Sequence, residues 1–144
     1  MASVDIPNSV VEIEQYTFAV CTALTSATIP NSVEKIGTCA FLECDELTKL
    51  TIPNSVTIIE DEAFEGDKSF EILIPVSLMK NIRNRLDNII GGSYTELRIP
   101  RKPTTIDGQD YFVVKSEINL DEFERSEEAS MLALSEVLSK HGII

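Results

Sequence analysis

Three cysteines, Cys21, Cys39 and Cys44, and a single histidine, His141, are the most reactive side chains in this 144-residue chain. Cys39 and Cys44 are separated by four residues. That is a weak metal spacing, because no second pair is present to complete a tetrahedral set. Cys21 and Cys44 lie 23 residues apart. A disulfide between them needs the sulfurs to face each other as well as the backbones to be close. A row of buried reduced thiols is the plainer reading. His141 would need a pocket and two partners to act as the base of a Ser-His-Asp set. A position near the end of a surface helix is the plainer reading for it. Asp45-Glu46 and Glu60-Asp61-Glu62 could attract calcium, but no glycine-punctuated ligand loop surrounds them. They read as a solvated acidic face. Gly91-Gly92 follows a helical stretch, whereas a phosphate-binding loop would open one. The expectation is a chain with no catalytic residue, no metal site and no cofactor.

The elements that carry these residues are repeated. The pentapeptide Ile-Pro-Asn-Ser-Val occurs at Ile6–Val10, Ile29–Val33 and Ile52–Val56, so each copy starts 23 residues after the last. Apolar residues recur in phase: Val10, Val33 and Val56, then Ile13, Ile36 and Ile59, then Phe18, Phe41 and Phe64. Leu24, Leu47 and Phe70 close each period. The third copy is one residue shorter. Five of the six prolines follow an isoleucine directly (Pro7, Pro30, Pro53, Pro75, Pro100). A fixed period in the twenties is the mark of a solenoid, in which one coil hides its apolar side chains only against a neighbour. The residues before each Ile-Pro alternate inward and outward, which suits a short strand. Successive strands should pair in parallel. Pro-Asn then ends each strand, since proline lacks the ladder donor. The segment from Val10 to Phe18 returns along the other side and has room for a second short strand.

The pattern I-P-x-S-V-x-x-I-x-x-x-A-F-x-x-C-x-x-L-x-x-L resembles the BspA-type leucine-rich repeat. The second copy fits almost throughout. The first has Thr17 where the pattern has alanine, and the third has Asp67 where it has cysteine. The resemblance is strong over residues 1–75, weak over 76–100, and does not extend over 101–144. It implies a parallel-sheet solenoid that binds other proteins, often as a surface adhesin. The chain shows neither the secretion nor the anchoring pattern of such adhesins.

The fourth copy departs from the others. After Ile74-Pro75, the residues Leu78, Ile82, Leu86, Ile89 and Ile90 fall at helical spacing. This predicts a helix of roughly 13 residues, with Ser77 as N-cap and Gly91 just past its end. Tyr-Thr-Glu-Leu-Arg-Ile-Pro then restores a strand. From Pro103 the sequence predicts a hairpin turning at Asp107-Gly108, with Tyr111–Lys115 as its stronger strand. A helix follows from Asn119, with Leu120, Phe123, Met131, Leu134 and Leu138 on one face. It reads as a cap over the last coil, as a docking element for a partner, or as a disordered acidic tail. The domain reading is a leucine-rich-repeat solenoid over residues 1–100, with copies starting at 6, 29, 52 and a divergent one from 74. A hairpin-plus-helix element follows over residues 101–144. The fold expectation is a solenoid with one parallel sheet of about four to five short strands.

Charge limits the partners. The net charge is −12. It argues against nucleic acid and against an anionic membrane surface. Residues 76–102 carry six basic and two acidic side chains, while residues 1–75 carry three basic and thirteen acidic ones. No apolar run is long enough to span a bilayer, and the N-terminus lacks a signal-peptide pattern. An intracellular, cytoplasmic location is the expectation. Two surfaces are left to bind another protein. The first is the outward sheet face, in one column Ser26, Lys49, Glu71 and Glu96, and in the other Asp5, Thr28, Thr51, Leu73 and Arg98. The second is the N-terminal edge at Val4 and Ile6, which no capping element precedes. The expected function is protein binding without catalysis. A structural subunit of a larger assembly is the alternative, and an enzyme of unknown type comes a distant third.

Overall fold

A chain that repeats its apolar pattern gains most by laying like on like, and the backbone pairing displays that offset. The computed structural model describes residues 2–66, 68–91 and 95–118. Strand β1 (Ala2–Asp5) pairs in parallel with β3 (Leu24–Thr28). On the return side, β2 (Glu12–Ile13), β4 (Lys35–Ile36) and β6 (Ile58–Ile59) form a second parallel sheet. There Ile13 sits beside Ile36, and Ile36 beside Ile59. Strand β5 (Lys49–Thr51) pairs in parallel with β7 (Phe70–Pro75). Lys49 stands opposite Glu71, one residue short of the usual offset, because the third copy is shorter.

The arc between the two sheets has a repeated backbone device. Tyr16 and Val20 are left-handed (φ 61° and 56°), as are Cys39 and Glu43 (57° and 52°) and Glu62 (61°). Placing such residues at every fourth position turns alternate amides toward the next copy. Tyr16, Phe18 and Val20 N–H donate to the carbonyls of Thr38, Ala40 and Leu42 at 3.1, 2.8 and 2.6 Å. Cys39, Phe41 and Glu43 donate in the same way to Asp61, Ala63 and Glu65. Left-handed non-glycine residues cost about 1–3 kcal/mol each, and these shared bonds help to offset the strain. The arc also sets the phenylalanines in a column. Phe18 and Phe41 stack at 5.1 Å between ring centroids, and Phe41 and Phe64 at 5.4 Å. Phe70 extends the column at 6.0 Å.

A helical segment replaces the fourth return. It comprises α1 (Val76–Ile82), a 3-10 turn (Arg83–Arg85) and α2 (Leu86–Ile89). Leu78, Met79, Ile82, Leu86, Ile89 and Ile90 are buried against the stack. Carbonyls at the end of a helix lack intrahelical partners. Here Asn88 and Ile89 use theirs to accept the N–H groups of Glu62 and Phe64, at 2.6 and 2.9 Å. The segment therefore stands in for a fourth arc. Ser77 is not the N-cap. Pro75 takes that place with φ −55°, and the Ser77 hydroxyl reaches Asn54 Oδ1 at 3.5 Å. Gly91 does follow the C-cap residue Ile90, but without a left-handed φ.

The last strands correct the expected sheet. Strand β8 (Thr95–Arg98) is followed by β9 (Thr104–Ile106) and β10 (Gln109–Ile118). Strands β9 and β10 form the expected hairpin, with Asp107 and Gly108 both left-handed (φ 51° and 78°), as a two-residue turn requires. Strand β10 then runs antiparallel between β7 and β8. It is much longer than β8 and pairs along all of β7, burying Phe112, Val114 and Ser116. A single parallel sheet of four to five strands is therefore not what forms. Apart from the three-stranded return sheet, the strands divide into a two-stranded sheet, β1-β3, and a five-stranded one that mixes parallel and antiparallel pairs. The helix expected from Asn119 lies outside the described residues.

Candidate functional site

The sheet face shows which of the expected surface residues belong together. Asp5 is paired with Thr28 across β1 and β3, and both are exposed. Ser26, Lys49 and Thr51 are also exposed. Glu71 is partly buried and sits between two lysines, with Lys49 Nζ at 3.4 Å and Lys115 Nζ at 3.8 Å. Leu73 is not part of the surface. Only 5 % of it is exposed, because β10 lies alongside and sets Val113 beside it. Glu96 and Arg98 are exposed but displaced from their expected columns. Inserting β10 puts Arg98 in the row of Lys115 and Glu71, and puts Glu96 opposite Glu117. Arg98 Nε donates to Glu117 Oε2 at 3.0 Å. These ion pairs are solvent-facing and are worth about 0–1 kcal/mol each. They pattern charge on the face more than they stabilise it.

Where β3 lies beside β5 without a completed ladder, an open cleft of about 1470 Å³ forms. Ser26, Thr28, Lys49 and Thr51 line it together with Asn8, Asn31, Asn54, Gln109 and Tyr111. Asn54 Nδ2 donates to Gln109 Oε1 at 2.8 Å, which ties the hairpin to the third copy. The sequence reading overlooked the asparagines, although their recurrence in each Ile-Pro-Asn-Ser-Val was the available signal.

The N-terminal end is different in kind. Val4, Ile6, Pro7, Val10, Ile13 and Phe18 line a cleft of about 330 Å³, rimmed by Glu12, Glu14 and Thr17. Val4, Val10 and Phe18 are partly buried members of the core. Among the described residues, β1 pairs only with β3, and β2 only with β4. Apolar side chains and unpaired backbone thus meet on one surface.

All three cysteines are free. Burial is the main cause that pushes the Cys39 and Cys44 thiols up, so neither is activated as a thiolate. Cys44 Sγ donates to the Phe18 carbonyl at 3.0 Å, and Cys39 Sγ lies 3.6 Å from Glu62 Oε2. Burial lowers Lys68 to about 8, and its ammonium donates to the Cys44 carbonyl while lying 4.9 Å above the Phe70 ring. No group of three His, Cys, Asp or Glu side chains is placed to hold a metal among the described residues. His141 lies outside the described residues. No helix among them is long and apolar enough to cross a membrane.

Parallel sheets, stacked copies and a phenylalanine column define a repeat protein. The model of the BspA type leucine rich repeat region matches residues 1–119 in 6 copies, and the chain belongs to this family. The match runs beyond residue 100, where the resemblance read from the motif stopped, and takes in β9 and β10. No curated protein and no solved structure matches the chain. Leucine-rich repeats serve generally as protein-interaction modules.

Proposed function

We propose that this chain is a non-catalytic protein-binding module, a short solenoid whose main contact surface is its N-terminal edge. One observation carries this reading. Val4, Val10 and Phe18 are only partly buried and line a cleft with the buried Ile6, on the surface where, among the described residues, β1 and β2 each have one unpaired edge. An apolar row beside free backbone donors and acceptors favours addition of another strand or coil. The sheet face around Asp5, Ser26, Thr28, Lys49, Thr51, Glu71, Glu96 and Arg98 is a second, more polar surface. Its cleft supplies hydroxyls and amides suited to side-chain recognition. A partner of either kind is a protein. The net charge of −12 disfavours nucleic acid. A structural subunit held permanently in an assembly is the alternative, and the open end supports it equally.

Charged substitutions separate the surfaces. Val4→Asp and Ile6→Asp should abolish capture of a partner, or self-association, while Thr28→Lys and Thr51→Lys should weaken it little. The measurement is retention of partners on immobilised intact chain, together with the mass of the free chain by light scattering. Equal loss at both places removes the edge from the reading. Purification as a soluble species of fixed mass favours a stand-alone binder, whereas aggregation in isolation favours the subunit.

A further inference from the structure

We infer that the first arc is an acceptor face that receives the donor arc of a leucine-rich-repeat coil on a different protein, so that this chain ends a composite stack. This rests on the reading of the N-terminal edge as a contact surface and names its occupant.

Hydrogen bonding between arcs has one direction. The amides of Tyr16, Phe18 and Val20 donate to Thr38, Ala40 and Leu42, and those of Cys39, Phe41 and Glu43 donate to Asp61, Ala63 and Glu65. The intervening amides stay within the arc: Thr17, Ala19 and Cys21 N–H donate to Glu14, Tyr16 and Phe18. Each arc thus offers donors to the copy after it and carbonyls to the copy before it. One period ahead of Thr38, Ala40 and Leu42 stand Gln15, Thr17 and Ala19. Among the described residues, the carbonyls of these three accept no hydrogen bond. Three acceptors in a row call for three amides at the same spacing, and an arc of this kind is the structure that supplies them.

The apolar rows end at the same place. Val33, Val56, Phe41 and Phe64 are buried, whereas Val10 and Phe18, at the same repeat positions, are only partly buried. Ile6 and Ile13 are already covered, so the area left for a partner lies at Val4, Val10 and Phe18. The matching row of another coil would cover it. Residues 1–28 hold Asp5, Glu12 and Glu14 and no basic side chain. Within the chain Glu12 stands opposite Lys35. A partner coil with a cation at that position repeats the pairing on the other side of Glu12, and opposite charges across paired strands are favourable.

A second copy of this chain has no donor row to give. Its first two rows are bonded within the chain, and Glu62 and Phe64 of the third donate to Asn88 and Ile89 of the helical segment. Two N-terminal faces brought together would oppose carbonyl to carbonyl and acid to acid, a mismatch that rejects the pairing. The occupant is therefore a different protein whose last arc still has its amides free.

Fluorescence anisotropy of an end-blocked, labelled peptide of residues 24–44, titrated with the intact chain under reducing conditions, tests the proposal. The peptide carries β3, Lys35 and the donor amides of Cys39, Phe41 and Glu43. It should bind saturably, and a scrambled peptide should not. Replacing the Phe41 amide of the peptide by an ester removes a donor and should weaken binding roughly fivefold. The same replacement at Thr38, whose N–H donates to nothing among the described residues, should leave it unchanged. Glu12→Lys in the chain should weaken binding about threefold, and Lys35→Glu in the peptide should restore it. A second measurement guards against the entropy a free peptide loses. Residues 24–46 fused directly ahead of Met1 keep the repeat spacing, and should raise the urea midpoint above that of a scrambled fusion. No binding together with no gain in midpoint overturns the proposal, as does an ester at Phe41 without effect. A wild type that doubles its mass in sedimentation velocity and releases the peptide as it does so overturns it in favour of a second copy. If Val4→Asp abolishes partner capture while peptide and fusion both fail, the N-terminal edge is a contact surface but its occupant is not a donor coil. If Val4→Asp captures partners and peptide like the wild type, the edge reading falls with the proposal.

Discussion

Replacing Phe41 by alanine tests the stacking directly. Phe41 is 1 % exposed and lies between Phe18 at 5.1 Å and Phe64 at 5.4 Å. Truncating a buried phenylalanine costs roughly 3–5 kcal/mol, the sum of lost transfer energy and the cavity left behind. The upper half of that range applies here, since two aromatic contacts worth about 0.5–1.5 kcal/mol each disappear together. Phe18 occupies the same repeat position but is only partly buried and, among the described residues, stacks on one phenylalanine rather than two. Its truncation should cost about half as much, near 2 kcal/mol. A domain of this size has about 5–15 kcal/mol of total stability, so Phe41→Ala removes a large share and Phe18→Ala a small one. Urea unfolding followed by circular dichroism reads both. With a slope of about 2 kcal/mol per molar, the midpoint should fall by roughly 2 M for Phe41→Ala and about 1 M for Phe18→Ala. Equal costs at the two positions, or less than about 1 kcal/mol at Phe41, would refute the claim that each copy is held by its neighbours.

Three further outcomes follow from local geometry. A Cβ added at Gly37 would lie 2.7 Å from the Gln15 backbone nitrogen, so Gly37→Ala should cost about 1–3 kcal/mol, whereas Gly66→Ala, with nothing nearer than 3.7 Å, should not; thermal melts compare them. Burial lowers Lys68 from its ordinary 10.5 to about 8, so between those values the unfolded chain holds a proton that the folded chain has released. Stability should therefore rise with pH across that window through this group. Lys68→Met should abolish that rise, measured as the difference between urea midpoints of the two proteins from pH 7 to 10.5. Cys21 is partly buried, while Cys39 and Cys44 are buried, with thiols that burial pushes up. Native protein should therefore be labelled first at Cys21 by a thiol reagent, and labelling of the other two should await unfolding.

Much of the architecture was legible because stacking makes neighbours in space out of residues one period apart. The isoleucines at 13, 36 and 59 pair as the period requires, and the phenylalanines at 18, 41 and 64 form one column. The shortened third copy shows directly as the changed offset between Lys49 and Glu71. The Asp107-Gly108 turn was legible because few residues tolerate two successive left-handed positions. The left-handed row at Tyr16, Cys39 and Glu62 was not, since no glycine marks it and only the contact with the next copy makes it worthwhile. The candidate surface was legible in part. Asp5, Ser26, Thr28, Lys49 and Thr51 face outward as alternation demands, but the burial of Leu73 depends on a strand more than thirty residues away in sequence.

By itself, the sequence determined the repeat, its period, the inward row of each copy and the family. All of these are written in local patterns recurring at a constant interval. Tertiary structure alone decided that β10 enters between β7 and β8, that Arg98 joins the row of Glu71, and that the helix carbonyls serve the third arc. Periodicity specifies what a copy of the repeat will accept as a neighbour. Where the repeat ends, the chain is free to satisfy the last open edge with whatever long strand or helix terminus it can bring there, and only the folded chain shows which one fits.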